Sequence, residues 1–412
     1  MEASAFQDAV TTVFREEASR VVAAIMRSVG DFDLAEEASQ DALLEALEAW
    51  PREGIPRRPG AWLVTVARRR AIDRIRRSAK LEQRLPLLQT ETAGGREPDD
   101  RLRLIFTCCH PALSRAAQVA LTLRAVLGLT TAEIAAAFLT SETTVAQRIV
   151  RAKRKIVDAG IPYGLSDETH LHERLDEVLT VLYLTFNEGY VSAGWETSGR
   201  RDVAEDARWL AALVVRLMPR EPEPMGLLAL MSLHLARWRA RFDDAGELVV
   251  LRDQDRSLWD RGAIANACAL LDAAGAIGRP GRYQLQAAIA ACHAEAPTYE
   301  ATDWAQIVTL YDMLAAHDPS PVVRLNRAIA LREIAGPEVA LREVDAVALD
   351  LDRYHLLHAT RAELLTELDH NEDAAAALER ALELTLNPAE RRLLRRRLET
   401  VQRTSHVSRR AG

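Results

Sequence analysis

The chain is poor in cysteine, with four in 412 residues. That is too few for a disulfide scaffold and is the usage of a reducing compartment. Aromatic residues make up only 5%. No run of 18 apolar residues occurs, so nothing reads as a membrane span. The N-terminal MEASAFQDAVTTVFREEASR lacks a basic start followed by an apolar stretch. No secretory signal is therefore visible, and the expected location is the cytoplasm. There is no P-loop, no Rossmann glycine pattern and no HExxH sequence, which removes the signatures of the common nucleotide and zinc enzymes. No segment alternates convincingly as a strand would. What remains is 48% hydrophobic and 27% charged, with 19 Gly and 16 Pro. This is the composition of a folded, helix-favouring chain, and its length suits two or three domains.

Charge is unevenly spread. Residues 1–160 carry 24 Lys and Arg against 21 Asp and Glu, although the whole chain has a net charge of −7. Residues 31–48 hold seven acids and no base, residues 62–84 eight bases and two acids, and residues 148–155 five bases and no acid. Blocks of opposite sign so close together suggest two different partners, one of them polyanionic.

Apolar residues recur at spacings of three and four almost throughout, and Ala, Leu, Arg and Glu dominate, so the expected fold class is all-α. Pro86, Gly94, Gly95 and Pro98 give residues 85–100 the composition of a flexible linker. Gly160, Pro162 and Gly164 end a long basic helix. The breaks define helical units over 5–84 and 101–158 and a large helical remainder over 165–400. In that remainder a shift of 34 residues places Ala328 on Ala362, Leu331 on Leu365, Ala340 on Ala374 and Val344 on Leu378. This is the period of tetratricopeptide helix pairs. Two copies are short of a solenoid, so an earlier degenerate copy is expected within 222–256.

Residues 129–149, LTTAEIAAAFLTSETTVAQRI, read as a helix-turn-helix. Thr130 and Glu133 have capping-box spacing, and Ser141 can cap the second helix. There Val145, Ile149, Ala152 and Ile156 form one buried stripe. Thr143, Thr144, Gln147, Arg148, Arg151, Arg154 and Lys155 are left to face a ligand. Hydroxyls, an amide and guanidinium groups on one face suit the major groove flanked by phosphates. Leu139 stands where such turns commonly carry Gly.

Residues 59–77, PGAWLVTVARRRAIDRIRR, place Trp62 beside Arg68, Arg69, Arg70, Arg74, Arg76 and Arg77. An aromatic ring among guanidinium groups fits nucleic acid with unstacked bases, whereas a Trp packed beneath a solvated basic face is the plainer alternative. Residues 33–50, DLAEEASQDALLEALEAW, bury Leu34, Ala38, Ala42 and Leu43. Asp33, Glu36, Glu37, Gln40 and Asp41 then face outward, toward a basic protein surface rather than DNA.

In order, spacing and charge these three motifs resemble bacterial RNA polymerase sigma factors of the sigma-70 type, extracytoplasmic-function class. The resemblance implies two helical domains joined by a linker. Region 2 would dock on the clamp helices of the polymerase β′ subunit through the acidic helix, and would melt and read the promoter -10 element through 59–77. Region 4, which contacts the β flap, would read the -35 element through 129–155. LIFTCCHPAL at 104–113, LTFNEGY at 184–190, DQDRSLWD at 253–260 and YQLQAAIAACH at 283–293 resemble a subgroup with a long tetratricopeptide-like C-terminal extension. The stretch 191–202 departs from that subgroup's pattern. The implied protein is not an enzyme and takes no cofactor. Its partners would be core polymerase, promoter DNA, its own extension in cis and a further regulatory protein.

Three other constellations carry less. Cys108, Cys109 and His110 have only Cys292 and His293 as a distant second pair, so they read as a packed helix rather than a zinc site. Asp253, Gln254, Asp255 and Arg256, a motif without an assigned role, lack the Gly and distal Glu of a calcium loop and read as a salt-bridged loop or a contact surface. Asn187 and Glu188 form no nucleophile–base arrangement. The rival functional readings are a helix-turn-helix activator with a repeat-type sensor, which needs neither the acidic helix nor the Arg/Trp helix, and a repeat scaffold that binds RNA.

Overall fold

The fold is all-α in the computed structural model, whose described residues are 2–77, 100–138, 140–161, 163, 171–191, 198–243 and 245–411. Among them no strand forms, and one isolated antiparallel bridge joins Phe242 to Leu248. Contacts divide the chain into one unit of Met1–Tyr190 with Gly199–Leu210, and a second of Val191–Ser198 with Ala211–Gly412.

The first unit begins with three helices, α1 (Glu2–Val29), α2 (Phe32–Glu53) and α3 (Pro59–Arg77). Asp31 caps α2, accepting from the Leu34 amide at 3.1 Å. Ala38, Ala42 and Ala46 of α2 and Ala67 and Ala71 of α3 are wholly buried. Spaced by four residues, they line one face of each helix and let the backbones approach closely. Trp50 closes the end of this seam, with ring centroids 5.6 Å from both Phe14 and Trp62. The expected linker at 85–100 lies outside the described residues except for Asp100, which opens α4 (Asp100–Cys108).

Next come α5 (Arg115–Ala125), α6 (Thr131–Ala137) and α7 (Glu142–Asp158). Leu104, Ile105, Phe106, Leu121, Leu123 and Ile134 are buried together with the α7 stripe of Val145, Ile149, Ala152 and Ile156. α8 (Leu171–Val191) also belongs largely to this unit. Its Arg174 donates to the Phe106 carbonyl at 2.6 Å and lies 5.7 Å above the Phe106 ring. Tyr163 donates to the Ala23 and Asp100 carbonyls at 3.0 and 3.2 Å. α9 (Ser198–Leu217) contributes to both units.

The second unit continues with α10 (Pro222–Ala236), α11 (Arg261–Gly275), α12 (Arg282–Glu295), α13 (Trp304–His317), α14 (Pro321–Ala335), α15 (Pro337–Asp345), α16 (His355–Glu367), α17 (Asn371–Leu384) and α18 (Pro388–Ala411). The starts of α14 and α16, and of α15 and α17, are each 34 residues apart. Of the residues that this offset superposes, seven are buried and Leu331 is half-buried. Gly336 makes the first interhelical turn at φ +86°, a conformation glycine adopts without cost. Three apolar clusters succeed one another. Leu285, Ile307 and Val323 mark the first, Leu325, Val344 and Leu357 the second, and Ala362, Leu378 and Leu394 the third. The copy expected within 222–256 is not a helix pair. α10 is followed by short 3-10 turns at Trp238–Ala240 and Leu251–Asp253, because Asp243 folds the chain back through bonds to the Ala245 and Glu247 amides.

α10 and α12 approach closely at Gly226, where a Cβ would come within 2.6 Å of the Gln284 backbone nitrogen of α12. Gly226→Ala should therefore destabilise the protein by about 1–3 kcal/mol despite alanine's better helix propensity. A thermal or denaturant melt checks this, and an unchanged midpoint contradicts it.

Candidate nucleic-acid interface

Local sequence fixes the helix-turn-helix. The Thr130 amide donates to Glu133 Oε2 at 2.7 Å and the Glu133 amide to Thr130 Oγ1 at 3.1 Å, the reciprocal pair of a capping box. Ser141 caps α7 by accepting from the Thr144 amide at 3.1 Å. Its hydroxyl also meets that of Thr144 at 2.7 Å, so Thr144 is half-committed to the cap. Thr143, Gln147, Arg151, Arg154 and Lys155 are exposed and Arg148 is half-buried. Arg154 is 81% exposed, with Asp158 3.9 Å away as its i,i+4 neighbour. One face of α7 thus presents hydroxyl, amide and guanidinium groups to solvent. Leu139 lies outside the described residues.

The acidic and basic helices meet each other. Arg69 and Arg70 of α3 hold Glu45 of α2 at 2.5 and 2.6 Å. Arg74 holds both Glu37 and Asp41 at 2.8 Å. Burial pushes the Glu45 carboxyl up, but the hydrogen bonds and charges of Arg69 and Arg70 prevail and hold it below the usual carboxylate range. The hydrogen bond to Asp41 raises Arg74 above the usual guanidinium value. Arg76 and Arg77 are exposed at the end of α3, with no ion pair among the described residues. Arg68 is half-buried. Trp62, also half-buried, sets its ring edge-on to Trp50, so part of it belongs to the core.

Four of the five acidic-helix positions expected to face an outside partner are engaged within the chain. Besides Glu37 and Asp41, Asp33 meets Lys153 of α7 at 2.7 Å, and Glu36 meets Lys153 at 3.2 Å and Arg124 of α5 at 3.3 Å. Glu36 is only 12% exposed. The outward expectation fails at that residue because a second helical bundle covers it. Gln40 stays exposed, and beside it Leu44 and Leu47 are 59% and 52% exposed. Sequence reasoning missed these two exposed leucines, since helical spacing alone does not tell a core leucine from an exposed one. Lys153 was missed for the converse reason: a basic run reads as wholly solvated.

The other motifs serve the fold. Cys108 and Cys109 are buried. The side-chain amide of Gln118 donates to the Cys109 and His110 carbonyls at 3.2 and 2.9 Å, satisfying the end of α4. Burial lifts the Cys109 thiol to about 12. In the second unit, Arg256 donates to the His293 and Ala296 carbonyls, both at 2.6 Å, and stacks 4.6 Å over Trp259. Asp255 caps the Ser257 amide at 2.8 Å, and Gln254 donates to the Val249 carbonyl at 3.1 Å. The expected salt-bridged loop is instead held by caps and carbonyl bonds. Asp253 lines a cavity of about 420 Å³ with Tyr299, Trp304, Tyr311 and Asn326. Among the described residues no group of three or more His, Cys, Asp or Glu could hold a metal ion, and no helix is long and apolar enough to cross a membrane.

Comparison with known families finds sigma-70 region 2 over residues 13–81 and sigma-70 region 4 over 103–156. A family of unknown function, DUF6596, matches residues 174–275. An uncharacterized protein of Rhizobium meliloti (strain 1021) is 44% identical over 392 residues, spanning 92% of this chain and 93% of its own length.

The burial of Cys108 and Cys109 makes a chemical prediction. With a thiol at about 12, roughly one molecule in ten thousand is thiolate at pH 8. Titration of the folded protein with a disulfide reagent should therefore modify only the half-buried Cys268 and Cys292, and slowly. The remaining two thiols should appear only on denaturation. Four thiols titrating from the native state would contradict the burial.

Proposed function

Because the chain belongs to the sigma-70 family, carrying regions 2 and 4, it is a transcription initiation factor for core RNA polymerase and promoter DNA, and we propose that it is an extracytoplasmic-function type regulated in cis by its C-terminal extension. It acts in the cytoplasm as a non-enzymatic subunit and takes no cofactor. Region 2 spans 5–84, the linker 85–100, region 4 101–158 and the extension 165–400. α7 reads the -35 element with Thr143, Thr144, Gln147, Arg148, Arg151, Arg154 and Lys155, while region 4 contacts the β flap. α3 reads and melts the -10 element with Trp62 and the arginines at 68, 69, 70, 74, 76 and 77. α2 docks on the β′ clamp helices with Asp33, Glu37, Gln40 and Asp41, around Leu44 and Leu47.

The observation that carries this reading is the pairing of two surfaces in one chain. α7 leaves a cationic, hydroxyl-bearing face open over a fully buried stripe, and α2 presents carboxylates beside exposed leucines. A helix-turn-helix activator that binds DNA alone has no use for the second surface. Control in cis is supported by Arg174, which lies within the DUF6596 match and bonds to Phe106 of region 4. The 34-residue offset of the helix pairs supports a tetratricopeptide-like extension.

Run-off transcription and binding assays with purified core polymerase test all four parts. Arg151→Ala should lower activity by about 1–3 kcal/mol in apparent promoter affinity if it contacts a base. Glu37→Lys with Asp41→Lys should weaken core binding in a folded protein. Arg74→Gln, which frees both carboxylates, should spare core binding and lower promoter activity. Arg174→Ala should change activity in one direction or the other, and unchanged activity would reject control through that contact.

A further inference from the structure

The motif at 253–256 leaves one of its side chains uncommitted. Gln254, Asp255 and Arg256 hold the loop through the Val249 carbonyl, the Ser257 amide and the carbonyls of His293 and Ala296. The Asp253 carboxylate is exposed and has no hydrogen bond or ion pair among the described residues. It borders the cavity of about 420 Å³, a size that suits a small molecule. α13 lines this cavity with Trp304, Ile307 and Tyr311 from one helix face, and α14 lines it with Asn326, Ile329 and Ala330. The Asn326 carboxamide is exposed and, among the described residues, likewise unengaged.

The arginines that line the cavity are matched. Arg252 meets Glu333 at 3.1 Å, Arg332 meets Glu363 at 2.8 Å and Glu367 at 2.5 Å, and Arg397 meets Glu363 at 3.2 Å. Three arginines face three glutamates, and Asp253 is left as the surplus negative group of the wall. Arg256 does not line the cavity, and its guanidinium is turned to the two carbonyls. The rings of the wall add no charge near neutral pH. Burial, with Arg237 and Arg256 nearby, pushes the His293 imidazole down to about 4. Burial beside Glu333 pushes the Tyr299 phenol up to about 12. Trp304 joins these two rings, its centroid 5.1 Å from each. Arg252 already stacks 4.7 Å over the Tyr299 ring, a separation at which a ring face attracts a cation. An anion would meet Asp253 as a like charge and would compete with glutamates for the three arginines. We propose that this cavity binds a small organic cation, an ammonium or guanidinium group on an apolar body. The charged group sits between Asp253 and Asn326, and the body lies against Trp304, Tyr311 and Ile329. The site does not depend on the sigma reading, because every group that builds it belongs to the second unit.

Isothermal titration calorimetry on the full-length chain tests this with phenethylammonium, its neutral counterpart phenethyl alcohol and the anion 3-phenylpropionate. Phenethylammonium should bind saturably, and the other two about tenfold more weakly or less, the difference that a hydrogen bond to a charged group makes. Asp253→Asn removes only the charge and should weaken phenethylammonium about tenfold without changing the melting temperature. Asn326→Asp adds a carboxylate to the same wall and should tighten it, a gain that a merely structural role does not produce. Either variant decides by itself if the other fails to fold. A capped Gly-Lys-Gly peptide should bind more weakly than phenethylammonium. Tighter binding of the peptide assigns the cation to a protein side chain and overturns the small-molecule reading. Equal binding of the three small probes overturns the selection for positive charge. No saturable binding of phenethylammonium overturns the site, and unchanged affinity in a folded variant overturns the role of this cavity.

Discussion

Arg74 can hold Glu37 and Asp41 together only because α2 and α3 lie as close as their alanines permit. The seam of Ala38, Ala42 and Ala46 against Ala67 and Ala71 sets the distance at which opposite charges on the two helices meet. Larger side chains there would part the helices and loosen the ties of Glu45, Glu37 and Asp41. Each tie is partly exposed and contributes at most about 1 kcal/mol to stability. Their larger effect is on placement. They hold long arginine side chains in fixed positions on α3 and offset part of the negative charge of the acidic helix. A basic partner arriving at α2 exchanges ion pairs rather than adding them. Such an exchange favours the right geometry more than it adds affinity.

The fold class and the helix-turn-helix were legible because both depend on neighbours within a few residues. The stripe Val145, Ile149, Ala152 and Ile156, the Thr130–Glu133 box and the Ser141 cap all appear where spacing and side-chain chemistry place them. The helix-pair offset was legible for the same reason, since burial repeats with the backbone. What spacing does not carry is the identity of the facing element. Glu36 and Lys153 each look solvated on their own helix, and only the packing of two bundles hides them. Trp62 likewise has a sequence context suited to bases, while its edge is fixed by Trp50. The Asp253–Arg256 motif looked electrostatic because it is charged. Its groups satisfy backbone amides and carbonyls instead, a use that charge patterning does not distinguish.

The chain of cores in the second unit has a mechanical consequence. α14 gives Leu325 and Ala328 to one cluster and Val323 and Ala330 to the preceding one, and α16 gives Leu357 and Leu364 to one and Ala362 and Leu365 to the next. Each helix pair therefore shares its apolar core with its neighbours in sequence, so that part of the stability accumulates module by module. The last module has an apolar neighbour on one side only, but Arg392 and Arg396 of α18 tie it back to Glu247 at 2.6 and 2.8 Å. Fraying from the C-terminal end has to break these partly exposed ion pairs before it can travel inward through the helix pairs. Adding or removing a 34-residue module would leave the register of the other apolar cores intact, but it would also carry α18 away from Glu247.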